Sequence, residues 1–84
     1  MIHDLKILPH FFEPIKKGIK TWEIRNEEDR KFEVGDYLIL NEYLPEKGYT
    51  GEKIKVRVVY ILRESETLYL PKNMVCMSIE IVEV

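Results

Sequence analysis

The sequence predicts a mostly β (α+β) fold: a small sheet of five or six strands curled into a barrel, with one short helix packed over an opening. Three observations carry this. Most of the 84 residues fall into short runs of alternating apolar and polar positions, which is the strand period. Only residues 9–17 look helical. The turns between runs are tight, so successive strands lie close together. One short helix cannot cover both faces of an open sheet, and a sheet this small hides its edges best by curling on itself.

The elements follow in order. Residues 2–8 read as a strand, with Leu5 and Ile7 on one face and Asp4 and Lys6 on the other. Pro9 opens the helix, where its missing N–H costs nothing. Phe11, Phe12 and Ile15 form the helix's apolar stripe, and Lys16 and Lys17 suit its C-terminal end. Gly18 supplies a left-handed cap, and Pro14 should hold the helix to about two turns. From Lys20 the chain turns to strand, with Thr21, Trp22 and Ile24 favouring a half-buried pleat. Asn26 to Arg30 is a polar turn, and Val34-Gly35-Asp36 signals a tight one. Tyr37-Leu38-Ile39-Leu40 is a strand buried on both faces. Leu44 to Gly51 is a hairpin loop. Residues 53–63 form the longest strand, with Ile54, Val56, Val58, Tyr60 and Leu62 on one face. Residues 64–73 are a loop. Residues 74–84 close the sheet, with Val75, Met77, Ile79 and Ile81 turned inward.

Composition sets limits on function. Apolar residues are 45% and charged residues 33%, which suits one folded domain over residues 1–84 rather than a disordered chain. No apolar run approaches the roughly 20 residues of a membrane span. The first residues lack the basic-then-apolar pattern of a secretory signal, so a cytoplasmic location is expected. Thirteen basic and fifteen acidic residues give a net charge of −2. That excludes the simplest duplex-DNA reading, in which a strongly basic surface displaces counterions, but leaves room for a local basic cleft. Cys76 is the only cysteine, so no internal disulfide forms, and it reads as a small buried hydrophobe. Two histidines and one cysteine make no zinc spacing. Neither a metal nor an organic cofactor is implied.

The informative segment is Gly18-Ile19-Lys20-Thr21-Trp22-Glu23-Ile24-Arg25, a Gly-x-Lys-x-x-Glu-x-Arg pattern at the helix-to-strand junction. Glu23 and Arg25 share a strand face, and a turn or bulge can aim Lys20 the same way. Two cations then suit phosphate or a base carbonyl, and the carboxylate suits an exocyclic amine. The alternative is a solvated polar face with a surface salt bridge. Trp22, Phe11, Phe12 and Phe32 read as core, with Trp22 and Ile24 buried behind the charged cleft. Tyr43 and Tyr49 flank the hairpin loop and either is placed to stack on a base, although loop tyrosines are common without that role. Lys53, Lys55 and Arg57 form a basic stripe that either tracks a phosphate backbone or is a solvated sheet face balanced by acids such as Glu46 and Glu52.

This octapeptide after a short helix, followed by Val34-Gly35-Asp36-Tyr37-Leu38-Ile39-Leu40, resembles the ASCH domain (activating signal cointegrator homology) of the PUA-like superfamily of small β-barrels. The resemblance is closest to a short bacterial and phage branch of uncharacterised function. It extends over His3-Asp4-Leu5-Lys6-Ile7, Trp22-Glu23-Ile24-Arg25, Asp29-Arg30-x-Phe32 and Tyr49-Thr50-Gly51, nearly the whole chain. It implies a cleft beside the helix suited to RNA or a modified nucleoside, with Lys20, Glu23 and Arg25 at the matching positions. Lys6 and Arg30 are weaker additions. Lys6 reads equally as a plain solvated lysine, and Arg30 as a partner of Asp29 or Glu28 in a turn salt bridge.

A superfamily branch of similar length hydrolyses acetylated cytidine with a Lys, a Thr and a Glu. By position its Lys falls on Lys20, but its Thr falls on Glu23, which is no hydroxyl nucleophile. Its Glu lies on an insertion that the 64–73 loop lacks. The expectation is therefore a small RNA- or nucleotide-binding domain with no assigned catalytic residue. The alternatives are an amidohydrolase acting on an acylated pyrimidine nucleoside, or an accessory domain whose charged cleft docks a protein partner.

Overall fold

The computed structural model describes residues 1–84. The chain runs β1 (Ile2–Ile7), α1 (Pro9–Lys16), β2 (Trp22–Asn26), β3 (Tyr37–Leu44), β4 (Gly48–Arg63), a 3-10 turn at Glu64–Glu66, and β5 (Met74–Glu83). The five strands form one sheet in the order β1-β3-β4-β5-β2. Only β1 and β3 are parallel, because α1 and β2 intervene between them in sequence. The sheet curls into a half-barrel whose two edges, β1 and β2, approach each other across a seam. Arg25 Nη2 on β2 donates across it to the Lys6 carbonyl on β1 at 3.0 Å. Five strands and one short helix agree with the predicted fold class.

The core is a single cluster in which Leu38, Leu40, Ile54, Val56, Val58, Val75 and Met77 meet Phe12 and Ile15 from α1. Phe32, between β2 and β3, joins it. Helix α1 ends in a Schellman turn. Gly18, at φ 76°, donates to the Ile15 carbonyl at 2.9 Å and Ile19 to the Pro14 carbonyl at 2.9 Å. Lys20 N–H donates to the same Pro14 carbonyl at 3.0 Å. Pro14 therefore sits inside a two-turn helix and anchors its exit.

Several expectations are corrected by register. In β4 an extra residue opposite β5 shifts the register between Val58 and Tyr60, and such a bulge reverses the inward parity. The inner face beyond it carries Ile61 rather than Tyr60 and Leu62, and Tyr60 is exposed. The hairpin loop is shorter than Leu44–Gly51, since β4 begins at Gly48. Ile81 is exposed near the end of β5, and Cys76 is half-buried. The basic stripe is a paired sheet face: Arg57 donates twice to Glu80 Oε1 across the β4–β5 ladder, and Lys55 lies over the Tyr37 ring.

Two polar clamps hold the 27–36 segment. Asp36 is buried and accepts from His3 Nε2 and from the Glu33 N–H, each at 2.9 Å. Burial acts to raise the Asp36 pKa, but the hydrogen bonds from His3, the Glu33 N–H and the Met1 ammonium, with the charge of that ammonium, outweigh it, and the net shift is downward. Glu27 receives a two-pronged contact from Arg63 at 3.0 and 3.1 Å and the Phe32 N–H at 2.8 Å. Its pKa is likewise lowered, since those hydrogen bonds outweigh the upward effect of burial. Arg63 reaches this pair because the β4 bulge places it on the same face as Ile61.

Candidate functional site

The seam between β1 and β2 opens into a cleft of about 420 Å³ beside the start of α1, within the usual size range of small-ligand sites. Its chemistry is set by the Gly18–Arg25 segment. The Schellman turn folds the chain back over Pro14, so Lys20 leaves the helix end pointing at β2. Glu23 and Arg25 then alternate onto the inner side of β2.

Glu23 is the centre of the group and is only 4% exposed. Arg25 Nε and Nη2 donate to its Oε1 at 3.1 and 2.9 Å, and the Lys20 ammonium donates to its Oε2. Both carboxylate oxygens are thus engaged by cations. One negative and two positive charges leave a net +1. The Lys20 ammonium lies 4.6 Å from the centre of the Trp22 ring and 5.3 Å from that of Phe11, so cation–π attraction adds to the ion pair. Arg25 Nη1 makes no hydrogen bond, while no buried side-chain nitrogen or oxygen lacks a partner. That nitrogen is therefore open to solvent and free to bind a ligand.

The three motif residues come together as expected, with their polar atoms within hydrogen-bond reach of one another. The aromatic expectation is corrected. Trp22 is 45% and Phe11 43% exposed, and Ile24 is also exposed; all three line the cleft. Alternation alone cannot tell which face of an edge strand turns inward. Hydrophobicity favoured Trp22 and Ile24, but two cations make burial of the Glu23 carboxylate affordable in a way that a lone charge would not be. Lys6 lines the cleft and its backbone carbonyl holds Arg25. Arg30 does not join the site: it is exposed, outside the cleft lining, and forms no ion pair with Asp29 or Glu28.

The buried His3–Asp36 pair lies outside the expectations from sequence. His3 shares parity with Leu5 and Ile7, and that signal was enough to place it inside; its partner Asp36 lies in the Val-Gly-Asp turn. No group of three or more metal-ligating side chains is present. The cleft lining contains no Ser, Thr or Cys. Thr21 lies outside it, exposed, with its carbonyl accepting from the Ile79 N–H at 3.0 Å.

Comparison with known proteins gives family and fold. Residues 2–79 match the family described as Domain of unknown function (DUF3850). The "Uncharacterized 12.9 kDa protein in GpA 3'region" of Escherichia phage P2 is 34% identical over 67 residues, which are 80% of this chain. The match spans 60% of the phage protein's length. Among solved structures, the hypothetical protein PH0355 superposes with a TM-score of 0.66 at 20% identity, over 98% of this chain and 100% of that one. At that identity the likeness concerns fold alone. With its family model matched over nearly its whole length, this chain belongs to the DUF3850 family.

Proposed function

We propose that the chain is a small RNA- or nucleotide-binding domain of the PUA-like, ASCH kind that acts in the cytoplasm through the seam cleft. The observation that carries this reading is a cationic group of net charge +1, held at fixed geometry by a buried carboxylate, beside two half-exposed aromatic rings. Phosphate or carbonyl oxygens suit the open Arg25 Nη1 and the remaining Lys20 N–H groups. A base suits the exposed surface of Trp22 or Phe11. Glu23 acts as a positioning residue, since its oxygens are engaged by Lys20 and Arg25 before any ligand arrives. A cleft lining without a hydroxyl or thiol favours binding over hydrolysis through a covalent intermediate.

Trp22 is the only tryptophan, so its fluorescence reports on the cleft directly. Titration with nucleoside monophosphates and short single-stranded RNAs should quench it. Arg25→Ala should weaken all such ligands alike and reduce the salt slope by roughly one unit per lost phosphate contact. Unchanged Trp22 emission at millimolar concentrations of every nucleotide would refute the reading.

A further inference from the structure

A second aromatic surface stands next to the cleft at the tip of the β3–β4 hairpin. Tyr43 and Tyr49 are cross-strand partners just beyond a register shift after Asn41. Their rings meet edge-on at 5.0 Å between centres, and Tyr49 is 62% exposed. The Lys6 ammonium lies 4.2 Å from the centre of Tyr43 and 5.9 Å from that of Tyr49. Lys6 also lines the seam cleft, so one cation adjoins both aromatic surfaces.

Tyr49 also borders a second hollow of about 380 Å³, lined by Asp4, Asn41, Gly51, Glu52 and Lys53 as well as Tyr49 itself. The Asn41 amide nitrogen is engaged by Asp4 Oδ1 and the Leu5 and Ile39 carbonyls. The Asn41 side-chain Oδ1 and Asp4 Oδ2 remain as hydrogen-bond acceptors. Two acidic side chains in this hollow disfavour a phosphate there, whereas acceptors suit a base amine.

A cation between two stacking surfaces fits a phosphate linking two bases. We infer that the ligand is a single-stranded polynucleotide occupying at least two subsites, an inference that rests on the nucleotide reading of the cleft. One base lies against Trp22, the linking phosphate meets Lys6, and the next base stacks on Tyr49 with its amino edge towards Asp4 and Asn41. A mononucleotide held in the seam cleft would leave Tyr49, which lies outside the cleft lining, unused.

The test compares AMP with the dinucleotides pApA and pUpU, and with the deoxy form of pApA, by Trp22 fluorescence. Stacking of a second base should make pApA bind about 5- to 150-fold more tightly than AMP, and pUpU should gain less because uracil has no exocyclic amine. Tyr49→Ala should remove the gain for pApA and leave AMP affinity unchanged. Tyr49 is mostly solvent-exposed, so this variant should fold, and an unchanged unfolding midpoint checks that it does. Running the ribo and deoxy dinucleotides side by side distinguishes RNA from DNA as the source of the strand. Equal affinities for AMP and pApA, or a full pApA gain in Tyr49→Ala, would overturn the second subsite while leaving the cleft as a mononucleotide site. If neither AMP nor pApA binds, the nucleotide reading falls and the two-subsite inference falls with it.

Discussion

At Glu23 the chain buries a carboxylate where an alternating strand would ordinarily bury an aliphatic side chain. It is tolerated because Lys20 and Arg25 engage both oxygens. Removing one partner of such a group leaves charge uncompensated in a poorly solvated place, at a cost of about 3–5 kcal/mol. Glu23→Gln should therefore lower the urea midpoint substantially, with Lys20 and Arg25 left facing each other. A midpoint equal to that of the wild type would show that water screens the triad. Trp22→Ala should behave differently. A fully buried large aromatic costs about 3–5 kcal/mol on truncation to alanine, but a ring 45% exposed has much less to lose. We expect a loss below that range, measured by the same urea unfolding. A loss within it would mean that the ring packs as core.

At the scale of elements, the helix exit and the β4 bulge decide where functional groups point. Gly18 holds φ 76° with open space around its Cα. The penalty for a side chain there is thus backbone strain rather than collision. Gly18→Ala should destabilise by about 1–2 kcal/mol and weaken nucleotide binding as well, because the Schellman turn aims Lys20 at Glu23. Comparing Gly18→Ala with an exposed helix control such as Glu13→Ala separates the two effects. Stability loss with unchanged binding would show that Lys20 finds Glu23 without the turn. The bulge after Val58 has a similar consequence: by reversing parity it sends Arg63 inward to Glu27 and the Phe32 carbonyl.

Across the whole molecule, the half-barrel is held at its open parts by polar clamps rather than by strand pairing. Arg25 bridges the seam, His3–Asp36 ties β1 to the 33–36 turn, and Arg63–Glu27 ties β4 to the segment before Phe32. Two of these clamps give stability a defined pH dependence. Glu27 and Asp36 have folded-state pKa values below their ordinary 4.5 and 3.8. The unfolded chain therefore binds protons first as pH falls. The stabilisation is fully present above those ordinary values and is lost as pH drops through the lower folded values. Arg63, shifted upward by the hydrogen bonds it donates to the Glu27 carboxylate, stays charged throughout and adds no slope. Denaturant midpoints measured from pH 7 to pH 3 should fall on the acid side below about 4.5. A Glu27→Gln, Asp36→Asn variant should start lower and fall less steeply. An equally steep acid limb would assign it to other carboxylates.

The order of elements, the two-turn helix with its glycine cap, most of the core and the Lys20–Glu23–Arg25 group were all legible in the chain, because propensity, turn chemistry and period-two spacing are local properties. Even the burial of His3 was present as parity with Leu5 and Ile7. Other features were decided by tertiary structure. Trp22 is a large aromatic side chain, yet it stays half-exposed because β2 ends up at the seam with nothing paired beyond it, and Phe11 on α1 is half-exposed in the same cleft. Glu23 goes inside because Lys20 and Arg25 are there to meet it. Tyr60 and Ile61 exchange faces through one extra residue in β4, and Arg30 is left outside the cleft by the turn that carries it. Local sequence sets which residues share a face, but which face is covered depends on strand order, register shifts and the edges that meet when the sheet curls.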